Sequence, residues 1–188
     1  MKRKVLHTIL TVLGLMALAG CQESSDPMDA VKPFQPDNPY FKASMISLHF
    51  VLETQPIAKV DSLFRSMIDQ YALPVNAEGC RDGVWEGISP YDAFDYRHVV
   101  KLTIQNEKII HVDYDEVHVN GGSKESDQAY NQLMSQGGGQ PSTAYPRYEK
   151  GLVAFQDMQK IESVSGASYS LYRFRYAVTV ALMKARLG

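Results

Sequence analysis

The chain is short of most features that would announce a specialised class. It has two cysteines in 188 residues, too few for a disulfide framework. No C-x-x-C-H segment occurs to attach a c-type haem, and there is no phosphate-binding P-loop, dinucleotide fingerprint or nucleophile elbow. Its longest apolar run, Val5 to Ala19, is 15 residues, too short to cross a bilayer comfortably as a helix. Basic charge is not in excess, the formal net charge being −2. Such a balance gives no general attraction for phosphate backbones and argues against nucleic acid as a partner. What is present is ordinary: 45% hydrophobic and 21% charged residues, which exclude a wholly disordered, collagen-like or polytopic membrane chain.

The N-terminus carries Lys2, Arg3 and Lys4 ahead of that apolar run, the layout of a secretory leader. It ends in Leu18-Ala19-Gly20-Cys21, which resembles the lipobox of bacterial lipoproteins. The resemblance implies cleavage before Cys21 and lipid on its sulfur and new amino group. Several acyl chains would anchor the protein to a membrane far better than one. Attachment on the extracytoplasmic side follows, in the outer membrane or periplasm of a Gram-negative host. Without the 20-residue leader, 168 residues remain, with 16 basic against 21 acidic side chains and a net charge of −5. That is enough chain for one packed domain. Cys80, the remaining thiol, could be buried, reactive or paired between chains, and buried and inert is the reading adopted.

Residues 21–43 read as a lipidated tether, rich in proline, serine and aspartate, that stays extended. In 44–82 the alternation of Ile46, Leu48, Phe50 and Leu52 favours a strand, with a helical hairpin as the alternative. A helix follows, with Ile57, Val60, Leu63, Phe64, Met67, Ile68 and Tyr71 on one face. A short strand is expected after Asp82-Gly83. Val100, Leu102 and Ile104, then Ile110, Val112 and Tyr114, alternate on either side of Asn106-Glu107-Lys108, an antiparallel hairpin with a three-residue link. Helices are expected over 123–135, with Ala129, Tyr130, Leu133 and Met134 inward, over 145–160, and over 169–187. The last carries a stripe of Leu171, Phe174, Val178, Ala181, Leu182 and Ala185, with Arg173, Arg175 and Lys184 facing elsewhere. The fold class is therefore α+β, a small antiparallel sheet packed with helices.

Chemistry concentrates between the last two helices, in Glu162-Ser163-Val164-Ser165-Gly166-Ala167-Ser168-Tyr169-Ser170. Hydroxyl groups and a glycine at a helix start suit a phosphate, because free amides and the helix dipole favour an anion there. Gly166 would let backbone approach a ligand closely. The competing reading is a plain serine cap. His98, His111 and His118 with Asp113, Asp115 and Glu116 have the residue types of a metal site, but that spacing is commonplace on solvated strands, so no metal is assigned.

From Asp82 to Gly188 the chain resembles the FMN-binding domain family, which includes flavin-bearing subunits of sodium-pumping quinone reductases and extracytoplasmic electron-transfer lipoproteins. The resemblance is carried by an ordered set: 82–87 (DGVWEG), 98–104 (HVVKLTI), 112–117 (VDYDEV), 145–149 (YPRYE) and 165–168 (SGAS). It implies a single FMN-binding-type domain over 83–188. Ser168 would be esterified to the phosphate of FMN by a flavin transferase that uses FAD and magnesium. Glu162 takes the acidic place of the motif, usually Asp, and Ser168 that of the usual Thr, while Ser165, Gly166 and Ala167 match. Trp85, Tyr114, Tyr145, Tyr148 and Tyr169 are candidate neighbours for the flavin ring, Tyr114 and Tyr145 first among them. The implied function is an electron carrier working between redox partner proteins rather than an enzyme with its own small substrate. A non-covalent FMN module and a flavin-free lipoprotein using the same scaffold for protein contacts are the alternatives.

The anchor is checked by expressing the full chain with an alkyne-tagged fatty acid. Label is expected on the wild type and not on Cys21→Ala; equal labelling of both would reject it.

Overall fold

The computed structural model describes residues 39–187, with side chains from residue 42. The leader, Cys21 and the tether up to residue 38 lie outside the described residues. Those described fall in one compact unit. They run α1 (Pro39–Thr54), α2 (Ile57–Tyr71), β1 (Gly83–Ile88), β2 (Tyr96–Gln105), β3 (Lys108–His118), α3 (Gln128–Ser135), α4 (Pro141–Phe155), a 3-10 turn (Met158–Lys160) and α5 (Ser168–Leu187). The fold is α+β, with a three-stranded antiparallel sheet in the order β1-β2-β3.

The strand expected around 46–52 is a helix, so 44–82 opens as a helical hairpin. The two periods overlap there. Met45, Leu48 and Leu52 recur at spacings of three and four and are buried, whereas Ile46 and Phe50 stand 70% and 64% exposed. α1 also begins inside the expected tether, at Pro39. The face of α2 is as expected, with Val60, Phe64, Met67 and Tyr71 buried. α2 ends at Ala72, a left-handed cap at φ 46° whose amide bonds the Ile68 carbonyl.

The β2–β3 link is two residues, not three. Gln105 pairs with Lys108, and Asn106 and Glu107 both take positive φ, as a type I′ hairpin turn demands. A register shift at Thr103/Ile104 puts Ile109 inside and leaves Ile110 half exposed, against the expected alternation. The outer edge of β3 is closed by α4 and its cap residue. Glu149 Oε1 accepts the Tyr114 amide at 2.8 Å, and Gln156 bonds both the amide and the carbonyl of Ile109.

α5 is the central element. Its expected stripe is buried, and so are Tyr172, Arg175, Tyr176, Ala177 and Thr179, so it is enclosed on nearly every side. Arg175 does not face outward. It lies under the 158–161 segment and donates to the carbonyls of Met158, Gln159 and Ile161 at 2.9 to 3.1 Å. α3 is the opposite case: it starts at residue 128 behind the Asp127 cap, and none of its residues is buried. Leu133 is 67% exposed, and only Tyr130 and Met134 of the expected inward set are half buried. The expected 145–160 helix starts earlier, at Pro141, and stops at Phe155.

The sheet can meet α5 only because position 87 has no side chain. A Cβ there would lie 1.8 Å from the Ala177 carbonyl oxygen and 2.7 Å from the Ala181 nitrogen, backbone atoms that cannot rotate away. Gly87→Ala should therefore cost about 3 kcal/mol, read as a lower urea midpoint at unchanged slope. An unshifted midpoint would show that this helix–sheet contact is not close.

Candidate functional site

Ser168 is the first residue of the 20-residue α5 and is half buried. The turn before it is held from three directions. The Ala167 amide bonds the Val164 carbonyl at 2.9 Å, which puts Gly166, at φ +77°, in the turn position that favours a left-handed residue. Tyr148 of α4 donates its hydroxyl to the Ala167 carbonyl at 2.8 Å and accepts from the Val164 amide. Arg175 fixes the preceding carbonyls from below. Ala167 precedes the first helical residue, and its carbonyl accepts the Leu171 amide at 3.2 Å.

Gly166 also has a packing use, besides lining the smaller pocket described below. A Cβ on it would lie 2.8 Å from the Gly137 carbonyl oxygen, and one on Gly139 would lie 2.5 Å from the Gly166 carbonyl carbon. The glycines let the 137–139 loop and the 164–167 turn touch, backbone to backbone. Ala167 is buried, whereas Ser165 and Glu162 are exposed.

Two hollows adjoin this turn. One is a largely enclosed pocket of about 130 Å³, whose lining includes Glu116, Lys124, Tyr145, Gly166, Ala167, Tyr169, Ser170 and Arg173. The other is an open groove of about 470 Å³ between the α1–α2 connection (Leu52 to Pro56) and Tyr169 and Arg173 of α5. Tyr169 and Arg173 belong to both.

The polar side of the pocket is a buried network. Lys124 Nζ donates to Glu116 Oε2, and Ser170 Oγ donates to Glu116 Oε1 at 3.3 Å. His98 Nδ1 lies 3.7 Å from Glu116 Oε1 and shares a 3.1 Å hydrogen bond with the Tyr114 hydroxyl, which also reaches the Ser170 carbonyl. Lys124 lies over the rings of Tyr96 and Tyr130. Burial draws His98 down to about 4, Glu116 opposing, so the ring is neutral at pH 7. Burial alone would raise Glu116, but the His98 and Lys124 charges and the Lys124 hydrogen bond outweigh it and hold the carboxyl at about 2. The Tyr145 hydroxyl lies close enough to Glu116 to feel its charge, yet makes no hydrogen bond of good geometry. It and Arg173 Nε are buried without a protein partner on the rim of this site. Each such atom costs about 1–3 kcal/mol unless a ligand or water meets it.

Tyr114 is not available as a ring contact. It is fully buried, 4.5 Å from the Tyr145 ring and 5.0 Å from Phe174, and holds β3 to the start of α5. Tyr145 spends its face on Tyr114 and offers the pocket only its hydroxyl. Tyr148 is a core residue, and Trp85 is half buried with its indole donating to the Arg81 carbonyl. Of the five aromatics, Tyr169 alone is exposed, at 41%. The His/Asp/Glu set divides likewise. His111, Asp113 and Asp115 share the outward face of β3, whereas His98 and Glu116 are buried rather than solvated. No three such side chains converge as metal ligands among the described residues. Cys80 is buried and free, its thiol pushed up by burial.

Sequence reasoning missed Lys124, Arg173, Glu53 and Gln55. None stands in a motif, and they come from three parts of the chain: the α1–α2 connection, the segment after β3, and α5.

No known family profile matches this chain, and no curated protein does. Among solved structures, it is similar to the CPE2226 protein of Clostridium perfringens, a structural genomics target. The TM-score is 0.54 and the identity 25%, over 58% of this chain and 91% of that one.

Protonation of both buried groups favours the unfolded chain. His98 binds its proton near 6.5 when unfolded and near 4 when folded, so stability should fall between those pH values. Glu116, near 4.5 unfolded and 2 folded, adds a further loss below 4.5. Urea midpoints across pH 7 to 3 should show both steps, and His98→Asn should remove the upper one and shrink the lower one, because the His98 charge helps hold the Glu116 carboxyl down. An unchanged upper step would place that titration elsewhere.

Proposed function

We propose that this protein is a membrane-anchored, extracytoplasmic electron carrier whose FMN is held as a phosphoester on Ser168. The observation that carries the reading is the position of that hydroxyl: half buried, at the start of a long helix, between Ala167 and Tyr169, which line two hollows of unequal size. A phosphodiester at that point keeps one negative charge where the helix dipole favours it, with Lys124 and Arg173 nearby. The residues fit the group. The groove lies within the ~300–1,000 Å³ usual for small-molecule sites, and the enclosed pocket is too small for a three-ring system. Arg173 Nε offers a buried donor that lacks a protein partner.

Loading would proceed by attack of Ser168 Oγ on the FMN-side phosphorus of FAD. The new O–P bond replaces the bond to AMP, which leaves, and the serine proton passes to a base on the transferase. Once bound, FMN supplies one- and two-electron redox chemistry. This chain then orients it and keeps it attached outside the cell. Tyr148 and Arg175 hold the turn rigid, so the attachment oxygen does not wander. Lipid on Cys21 would keep the carrier near membrane-bound redox partners.

Co-expression of the full chain with an extracytoplasmic flavin transferase tests this. Intact mass should show one FMN adduct on the wild type and none on Ser168→Ala. An unmodified, colourless wild type rejects the covalent reading.

A further inference from the structure

The flavin reading leaves open which hollow takes the ring and what the N-terminal hairpin is for. Both questions meet at the groove. Tyr169 and Arg173 lie one turn apart on α5, directly after Ser168, and both reach across to the α1–α2 connection. The Tyr169 hydroxyl donates to the Gln55 carbonyl at 3.1 Å. Arg173 pairs with Glu53, its Nη2 lying 3.1 Å from Oε1 and 3.2 Å from Oε2. Helix α1 ends and α2 begins at this place, so the turn is pinned by the residues that follow the attachment point.

We infer that the α1–α2 connection is a built wall of the cofactor site, and that the isoalloxazine ring lies in the open groove lined by residues 52–56, Tyr169 and Arg173, over the Tyr169–Gln55 hydrogen bond rather than through it. The inference rests on the flavin reading and goes beyond it, because it assigns residues 52–56 a role in binding. Three features select the occupant. Of the two hollows that Tyr169 and Arg173 line, only the groove is large enough for three fused rings. Its lining is mixed, as a flavin needs: the flat surfaces of Pro56 and Tyr169 for the ring faces, and Thr54, Gln55, Glu53 and Arg173 for the polar pyrimidine edge. Tyr169, which lines it, is next in sequence to Ser168, so a nucleotide esterified there starts one residue from the groove. The enclosed pocket, with Tyr145, Ser170 and Glu116, is left for hydroxyl groups of the ribityl chain.

The Glu53–Arg173 pair is a positioning element on this account. The carboxylate offsets the guanidinium charge and fixes its plane, while Nε is buried with no protein partner. Without the hairpin the groove would have one wall.

The test uses the full chain loaded by the transferase and reads two properties of one sample. Intact mass reports whether FMN is on Ser168; iodide quenching of flavin emission reports whether the ring is sheltered. On the wild type, quenching should be about threefold weaker than for free FMN, because a seated ring has most of its surface covered. Thr54→Phe fills the groove from an exposed position. It should leave the adduct intact and restore quenching to nearly the free value. Tyr169→Leu gives an independent reading if Thr54→Phe does not fold: the adduct persists and flavin emission rises, because the tyrosine that quenches it is gone. An adduct on Ser168 with quenching like free FMN, or with quenching and emission unmoved by these variants, overturns the groove and leaves the flavin reading standing. A wild type with no flavin removes both.

Discussion

Everything else in the structure depends on the enclosure of α5. A helix buried on nearly every side has no solvated flank on which to leave polar groups, so those it carries must be met by neighbours. Arg175 is met by three carbonyls of the segment just before the helix. Thr179 bonds back to the Arg175 carbonyl, and the Ser170 hydroxyl meets Glu116. These contacts draw the incoming chain tight against the helix start. The 158–167 segment, irregular after its 3-10 turn, is thereby held at defined points rather than free to choose its path. The close approach of Gly87 to the α5 backbone secures the same helix from the sheet side.

Enclosure also accounts for the unusual polarity near Ser168. Glu116 and His98 sit on inward positions of β3 and β2, where an alternating strand would ordinarily place apolar residues. A carboxylate there is tolerable because Lys124 covers it and Ser170 donates to it. The cost of that arrangement is the unpaired hydroxyl of Tyr145 and the unpaired nitrogens of His98 and Arg173. Buried polar groups left without partners are rare, and the described residues hold others at Asp92 Oδ2 and Arg97 Nε, on the β1–β2 connection and β2.

The N-terminal hairpin belongs to the same body as the sheet. Beyond the clasp at 53–55, Tyr172 of α5 donates to Asp61 and packs edge-on against Phe64. Asp61 is in turn held by Arg65, whose hydrogen bond is the main reason its carboxyl lies below the usual range. Polar clasps at two levels of α2 and α5, with an apolar layer of Val60, Phe64, Met67 and Tyr71 alongside, make the hairpin an integral side of the domain rather than a linker.

Local sequence determined much of this. Periodicity marked α2, α5 and the β2–β3 hairpin, because a strand or helix face that packs against one layer shows its period directly. It also marked the helix start at 168, since a glycine and small residues before an apolar stripe describe one wherever they occur. Tertiary structure alone decided the rest. Period two and period 3.6 coincide over 46–52, and only packing of Met45, Leu48 and Leu52 inward resolved them as helix. Tyr114 and Tyr148 read like any tyrosine in a motif, and only the layers above and below revealed them as core. Arg173 and Glu53 carry no local signal, because a charged side chain records nothing about a partner 120 residues away until the chain has folded and brought the two together.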